Sequence, residues 1–319
     1  MDENRSGSDA SYFLGFDGGG TKTECVLAGA DGGILARATA GPSNPLRAGY
    51  TRAWFSLSEA ADVVLSRQKI RSNHIRGVCA GIGGAGRNSV VRRVSEFFER
   101  SFPNAEVEVT TDLQIALEAA FGAGEGIVLV AGTGSAALGR DPSGREERAG
   151  GRGPWFSDEG SGFDVGRRAV AAVLLAEENR GPATRLAERL FDHIQVPDWS
   201  ALLDQVSKEP DAVFPRAFPL VAELADEGDS VSREILSTAA NLLAALASSV
   251  AGKLVWHKRA VPIALIGGMH GRSKFFDAAI DAELTKLLAH RRYVKVAVSP
   301  AEAAVRIATR AKGNAAPRV

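Results

Sequence analysis

Residues 15–23 read Gly-Phe-Asp-Gly-Gly-Gly-Thr-Lys-Thr, between short apolar runs at 12–14 and 25–28. Two strands joined by such a loop make a phosphate cradle. Gly18, Gly19 and Gly20 allow backbone with φ > 0 and bring N–H groups close to an anion, while Thr21, Lys22 and Thr23 add donors and one positive charge. Asp17 adds a negative charge, which suits a phosphate site only when Mg²⁺ lies between the two, held by one or two carboxylates and completed by water. The implied ligand is a metal–nucleotide. Taken alone, the loop fits a ligand-free Gly-rich hairpin equally well.

A second loop of the same design decides between those readings. A buried-looking strand at 127–130 runs into Ala131-Gly-Thr-Gly-Ser135 and another strand at 136–138, so Gly132, Thr133 and Gly134 repeat the cradle in the other half of the chain. Two cradles can grip the phosphates of one nucleotide from both sides of a cleft. The P-loop string Gly-x-x-x-x-Gly-Lys-[Ser/Thr] does not occur.

Four further strings carry candidate chemistry. Asp112 follows a strand at 106–110 and precedes a helix at 113–120; it can be an N-cap, or a carboxylate at a strand's carboxyl end that accepts a hydroxyl proton. Asn44, in Gly41-Pro-Ser-Asn-Pro45, has a local turn role and an amide able to meet vicinal hydroxyls. Asp158 and Glu159 end the Gly-rich stretch begun by Gly151, Arg152 and Gly153, where acids either cap the next helix or bind hydroxyls. Gly267 and Gly268 follow the apolar strand at 262–266, leaving room for a flat base against backbone or forming a plain strand-to-helix turn.

The order and spacing of Asp17-Gly-Gly-Gly-Thr21, Gly41-Pro-Ser-Asn44, Thr110-Thr-Asp112, Gly132-Thr-Gly-Ser135, Gly150-Gly-Arg-Gly153, Ser157-Asp-Glu-Gly-Ser161, Ile266-Gly-Gly268 and Ser299-Pro-Ala-Glu-Ala303 resemble the BadF/BadG/BcrA/BcrD-type ATPases. Within that family the likeness is to N-acetylglucosamine kinases of the sugar kinase, heat-shock ATPase and actin superfamily. The resemblance implies an α/β fold of two ribonuclease H-like domains, each with a mixed sheet, facing an interdomain cleft. It implies ATP and Mg²⁺ as cofactors, with Asp17 on the metal mainly through water. Gly18, Gly19, Gly20, Thr21, Lys22, Gly132, Thr133 and Gly134 would hold phosphates, and Gly267 and Gly268 would flank adenine. Asn44, Asp112, Ser135, Gly151, Arg152, Gly153 and Asp158 would meet the sugar, with Asp112 as general base.

The implied reaction is phosphorylation of an amino sugar, first N-acetylglucosamine at its 6-hydroxyl, with glucosamine or N-acetylmuramic acid as alternatives. This chain departs from its apparent relatives at two places. Ala136 stands where they often carry Asn, and Arg152 where they often carry Trp, so a cation replaces an aromatic wall. If Arg152 lines the pocket, its charge disfavours the ammonium of glucosamine.

Readings of other classes remain. Gly81-Ile-Gly-Gly-Ala-Gly86 fits the dinucleotide fingerprint in outline, although three strands precede it and a tight strand-to-helix turn explains it as well. A BadF-type activator would hold an iron–sulfur cluster on cysteine thiolates, whereas Cys25 and Cys79, the two cysteines, both lie in apolar strand-like runs. A non-catalytic sugar sensor would carry a DNA-binding motif, and none is visible. The five histidines lack metal spacing.

The elements that must position these residues follow from periodicity. Strands are expected at 12–16, 24–28, 34–40, 77–81 and 106–110 in the first half, with helices at 51–67 and 89–100. After the second hairpin the chain turns mostly helical, at 164–177, 183–191, 213–225 and 230–256. Strands at 262–266 and 293–298 and helices at 273–290 and 301–311 close it. The expected division is an N-terminal domain at 10–115 with the last helix, 299–312, packing back on it, and a C-terminal domain with a helical insertion at 116–298. Formal net charge is zero over 319 residues, with no basic stripe, so nucleic acid and anionic membrane are poor partners. The apolar tract at 241–255 is interrupted by Ser248, Ser249 and Lys253, and residues 1–9 read as a polar disordered leader. The expectation is a cytoplasmic enzyme with a small-molecule partner, a homodimer being the assembly kept in view.

Overall fold

The structure, a computed structural model, describes residues 11–257 and 259–314; the leader at 1–9 lies outside them. Along the chain run β1 (Tyr12–Gly18), β2 (Thr23–Gly29), β3 (Ile34–Ala40), α1 (Pro45–Ala48), α2 (Tyr50–Gln68), β4 (Ile75–Ile82), α3 (Asn88–Ser101), β5 (Glu106–Thr110) and α4 (Asp112–Phe121). Then come β6 (Gly126–Ala131), β7 (Ser135–Arg140), β8 (Glu146–Gly150), α5 (Gly162–Glu177), α6 (Leu186–Ile194), α7 (Trp199–Lys208), α8 (Pro210–Val213), α9 (Phe218–Asp226) and α10 (Ser230–Lys253). β9 (Val261–Ile266), α11 (Lys274–Leu287), β10 (Arg291–Tyr293) and α12 (Pro300–Asn314) complete the order. Two compact units result: one runs through Gly122 and resumes at Val296, and the other spans Ala123–Lys295.

Each unit has a mixed five-stranded sheet with the same strand order, β3-β2-β1-β4-β5 in the first and β8-β7-β6-β9-β10 in the second. In the first, β1 pairs antiparallel with β2 and parallel with β4, which pairs parallel with β5. Alternation along β1 divides the core into two layers. Leu14 and Phe16 pack with Leu57 and Val64 of α2 and Phe98 of α3 on one face. Phe13 of the other face meets Ala301, Ala304, Val305 and Ala308 of α12 and Ile115 of α4.

In the second unit, Ile127, Leu129 and Ile263 form the sheet's contribution to a core filled from α5, α9, α10 and α11. By length and composition alone α10 could cross a membrane. Its residues Leu236, Leu243, Ala247 and Val250 are fully buried in this core, as in a central helix of a globular unit.

Three sequence expectations need correction. The strand expected at 293–298 is only Arg291–Tyr293, registered on Val261 to Ile263 of β9, because the alternating residues beyond Val294 have no ladder partner and lead back into the first unit. β8 was not expected: its Glu-Glu-Arg start has low strand propensity, yet cross-strand pairing with β7 holds it. α7, capped by Asp198 through the Ala201 N–H at 2.8 Å, also escaped the periodicity.

α12 lies so close to β1 that a Cβ on Gly15 would sit 2.2 Å from the Ala301 carbonyl oxygen and 2.5 Å from the Val305 nitrogen. Both obstacles are backbone. Gly15→Ala should therefore destabilise by about 3 kcal/mol, the upper part of the usual overpacking range. Gly252→Ala in α10, where nothing lies within 4 Å, should stabilise by about 0.5 kcal/mol. Chemical denaturation of both variants checks the pair, and an unchanged midpoint for Gly15→Ala would refute the packing account.

Candidate active site

Strand register brings the first unit's acids to one sheet edge. Asp17 lies opposite Gly81 of β4, and Gly81 lies opposite Thr110 of β5, so the carboxyl ends of three strands align two residues before Asp112. Asp17 and Thr110 are then about 10 Å apart between Cα atoms, twice the ~4.8 Å strand spacing. A Cβ on Gly81 would stand 2.3 Å from Ile115 Cδ1, and its absence lets α4 pack down with Asp112 at its start.

Asp112 is not the cap of α4. That duty falls to Thr111, whose hydroxyl accepts from the Gln114 N–H at 3.2 Å, while Asp112 is the first helical residue and its Oδ1 accepts from the Leu113 N–H at 3.0 Å. Burial raises the Asp17 pKa to about 7, with the Asp112 and Glu24 carboxylates adding to the rise and Lys22 opposing it. Glu24 is itself braced, accepting from the Ser299 hydroxyl at 3.0 Å and pairing with Arg37 at 3.4 Å.

The loop between β1 and β2 works by close approach, and φ > 0 is not used at Gly18, Gly19 or Gly20. A Cβ on Gly18 would meet Ser43 Oγ at 2.4 Å. The Gly18 carbonyl accepts from the Gly83 N–H at 2.7 Å, and the Gly19 carbonyl accepts from Ser43 and Asn44 N–H groups at 3.1 and 3.0 Å. The Gly19 N–H closes the turn on the Lys22 carbonyl at 2.9 Å, so it is not offered to an anion. Gly20, Thr21 and Lys22 are exposed. Thr23, which sequence reasoning credited only as a donor to the cradle, is buried with its hydroxyl 2.7 Å from both the Gly41 carbonyl and Ser43 Oγ.

Asn44 caps α1, its Oδ1 accepting from the Leu46 N–H at 3.0 Å. The fingerprint glycines at 81–86 serve this turn: a Cβ on Gly83 would stand 2.9 Å from Asn44 Nδ2, and on Gly84, at φ +92°, 2.9 Å from Leu46 Cδ1. Close packing accounts for these glycines without a dinucleotide.

In the second unit, the loop between β6 and β7 lies against the end of β9. A Cβ on Gly267, at φ +113°, would be 2.2 Å from the Ala131 carbonyl oxygen, and the Met269 N–H donates to that oxygen at 3.2 Å. Gly268 has open space beside it. The Gly132 N–H closes its own turn on the Gly134 carbonyl at 3.0 Å, as Gly19 does in the first unit. The carbonyls of Gly132 and Thr133 accept from Gly162 and Phe163 N–H groups at 2.8 and 3.3 Å, tying the loop to the start of α5.

Asp158 is buried at φ +131°, a left-handed conformation costly for any side chain and common at functional sites. Its Oδ2 would lie 2.9 Å from a Cβ on Gly134, so that glycine gives the carboxylate its place. Its loop is held on both sides: the Ser135 hydroxyl donates to the Glu159 carbonyl at 2.7 Å, and Asp164 Oδ2 accepts from the Gly160 N–H at 3.1 Å. Gly151 and Gly153 take φ of +69° and +104°, and Arg152 is exposed. Sequence reasoning missed Arg148, whose guanidinium donates to the Gly150 and Gly151 carbonyls at 3.2 and 2.5 Å. Its place on an unrecognised strand, two residues before the first of these glycines, hid it.

Among the described residues no three His, Cys, Asp or Glu side chains gather as a metal site. A hard divalent cation at Asp17 would have to be completed by water and phosphate oxygens, which is how Mg²⁺ is usually held. The half-buried Asp17, whose carboxyl is pushed up by burial and by the neighbouring Asp112 and Glu24 carboxylates, fits such a cation electrostatically.

Comparison with known proteins places the chain in a family and a fold. The model of the BadF/BadG/BcrA/BcrD ATPase family matches residues 14–305. The chain is 29% identical over 263 residues to the N-acetylmuramic acid/N-acetylglucosamine kinase of Clostridium acetobutylicum, covering 81% of this chain and 85% of that protein. It is 28% identical over 316 residues to the N-acetyl-D-glucosamine kinase of Dictyostelium discoideum, covering 94% and 98%. A crystal structure from Chromobacterium violaceum, provisionally named an N-acetylglucosamine kinase, matches with TM-score 0.76 and 24% identity over 93% of this chain and 98% of that one. A ROK family glucokinase from Streptomyces griseus, solved with glucose and AMPPNP, matches with TM-score 0.60 and 15% identity over 94% and 99%. At these identities the structural matches establish the fold.

The Asp17 shift has a measurable consequence. A carboxyl whose folded pKa is raised from 3.8 to about 7 favours the folded state below the lower value, and that advantage is lost as pH rises through the higher one. The penalty above neutrality is on the order of 4 kcal/mol at about 1.4 kcal/mol per unit. In metal-free buffer, Asp17→Asn should raise Tm at pH 8 and have little effect near pH 4. Melting curves across that range test it, and a pH-independent effect would refute it.

Proposed function

The chain belongs to the BadF/BadG/BcrA/BcrD ATPase family, and we propose that within it the protein is an ATP-dependent hexosamine kinase of the cytoplasm. The observation that carries the reading is the alignment of Asp17 and Asp112 at one sheet edge beside the Gly18 to Lys22 loop. N-acetylglucosamine is the first-choice substrate, phosphorylated at its 6-hydroxyl. The names of the Clostridium and Dictyostelium relatives support an N-acylated amino sugar.

In this reading, Thr21, Lys22 and Thr133 hold ATP phosphates, with backbone N–H groups of Gly20 and Gly134 assisting. Gly267 and Gly268 lie along the adenine, where Gly268 has room beside it. Asn44, Ser135, Asp158 and the Gly151 to Gly153 backbone meet the sugar; the Ser135 hydroxyl does so while bonded to the Glu159 carbonyl. Asp112 accepts the proton from the attacking hydroxyl as its oxygen bonds to the γ-phosphorus and the bond to ADP breaks. Asp17 would hold Mg²⁺, which when bound neutralises phosphate charge. Exclusion of water from the reacting groups suppresses ATP hydrolysis.

Two cations stand at the Gly-rich sugar loop: Arg148, bonded to the Gly150 and Gly151 carbonyls, and Arg152 within the loop, which is exposed. Positive charge there disfavours an ammonium and tolerates an acyl group or a carboxylate.

Two outcomes test the proposal. A coupled ADP-release assay over hexoses and hexosamines should rank N-acetylglucosamine above glucosamine in kcat/KM, with N-acetylmuramic acid accepted; preference for glucosamine at neutral pH would overturn the charge argument, and no sugar-dependent ADP release would overturn the function. Asp112→Asn should lower kcat on the order of a hundred- to ten-thousandfold with Mg-ATP binding by calorimetry near normal. Retention of most of kcat would remove Asp112 from the role of base.

A further inference from the structure

Two adjacent aromatics in the second unit are among the most exposed large side chains of the described residues: Trp155 at 73% and Phe156 at 86%. They sit on the turn that joins Gly153 to Asp158. Phe156 and Ser157 N–H groups donate to the Gly153 carbonyl at 3.3 and 2.9 Å, and Gly153 at φ +104° followed by Pro154 fixes the turn's entry.

The turn's other end belongs to the nucleotide and sugar loops. The Trp155 ring meets buried Phe163 edge-on at 6.4 Å and 73°, and the Phe163 N–H is the group that donates to the Thr133 carbonyl. Asp158, three residues on from Trp155, occupies the space left by Gly134. The exposed aromatic pair is therefore tethered at both ends to proposed ligand-binding backbone. Aromatic surface of about 150–250 Å² per ring has a strong tendency to be covered, and small-molecule sites characteristically set such surface beside a few polar groups. Asp158 provides the polar group.

We propose that Trp155 and Phe156 form the apolar wall that receives the N-acyl group of the amino sugar, while Asp158 takes its hydroxyls. This rests on the hexosamine kinase reading and deepens it by assigning the acyl preference to two named side chains. An acyl methyl offers these rings an uncharged apolar surface; free glucosamine offers a hydrated ammonium in its place.

The experiment compares wild type with Trp155→Ala, Phe156→Ala and Trp155→Phe in the ADP-release assay, and titrates N-acetylglucosamine into wild type and Trp155→Phe without ATP while recording tryptophan emission. Each alanine variant should raise KM for N-acetylglucosamine by about tenfold or more, with kcat within about threefold and KM for ATP within about twofold. KM for glucosamine should rise much less. Trp155→Phe should keep the wild-type KM but lose the sugar-dependent change in emission.

The wall is overturned if KM for N-acetylglucosamine is unchanged, if glucosamine suffers equally, if KM for ATP rises in parallel because adenine is the occupant, or if the variants change oligomeric state because a second copy is. Both side chains are exposed, so replacing either leaves the fold intact, and Tm of each variant verifies this. Wild type that turns over no hexosamine but still shows the Trp155 emission change refutes the kinase reading and supports the wall. Normal turnover with an indifferent Trp155→Ala does the reverse.

Discussion

The contact of α12 with β1 is the constraint on which the first unit depends. Gly15 admits the helix backbone, and alternation along the strand then puts Asp17 on that same face, at the strand's end. Ser299, which caps α12 by accepting from the Glu302 N–H, also donates to Glu24, the residue paired with Asp17 across β1 and β2. Ion pairs of Arg37 with Glu302 and of Arg310 with Glu118 fasten the same helix to β3 and α4. A segment from the far end of the chain thus fixes the acid that begins the first loop.

The two units solve the same topological problem with different chemistry. Each opens with an antiparallel hairpin whose first glycine N–H closes the turn internally, Gly19 on Lys22 and Gly132 on Gly134. In the first unit the central strand carries a carboxylate at its end, and β5, two strands away, leads to another. In the second, the equivalent place is taken by Ala131 and by glycines that accept close backbone packing from Gly267 and Met269.

Much of this frame was legible because it is written in local pattern. Apolar runs flanking Gly-Thr strings gave both hairpins, and the long periodic segment at 230–256 gave α10. What could not be read depends on partners distant in sequence. β8 is a strand because β7 lies beside it, and the alternating residues beyond Val294, whose N–H still donates to Ile263, form no ladder because no strand lies beside them among the described residues. Arg148 became visible only with β8. The glycine argument shows a subtler limit: composition identified Gly18 to Gly20 and Gly132 to Gly134 as special, but at Gly18 and Gly134 the reason is proximity to Ser43 and Asp158 and not φ > 0. For Asp112 the sequence left cap and base open, and Thr111 takes the cap.

The electrostatics of the first unit separate residues that brace from one that does not. Asp17 and Glu24 stand directly opposite each other on antiparallel strands, a placement that destabilises like charges. Glu24 is compensated by Arg37 and Ser299. Asp17 has a half-buried site, two neighbouring carboxylates and only Lys22, on an exposed loop, acting in the other direction. A stability-driven arrangement would not leave that charge so poorly offset, since an uncharged isostere there would be easier to fold. A strongly perturbed carboxyl set beside a Gly-rich loop marks a candidate ligand site, where an incoming charge would supply the compensation. The strain at Asp158 in the second unit has the same logic: a buried carboxylate at φ +131°, on a loop kept in place by Ser135, Asp164 and the missing side chain of Gly134, is held against its own backbone preference.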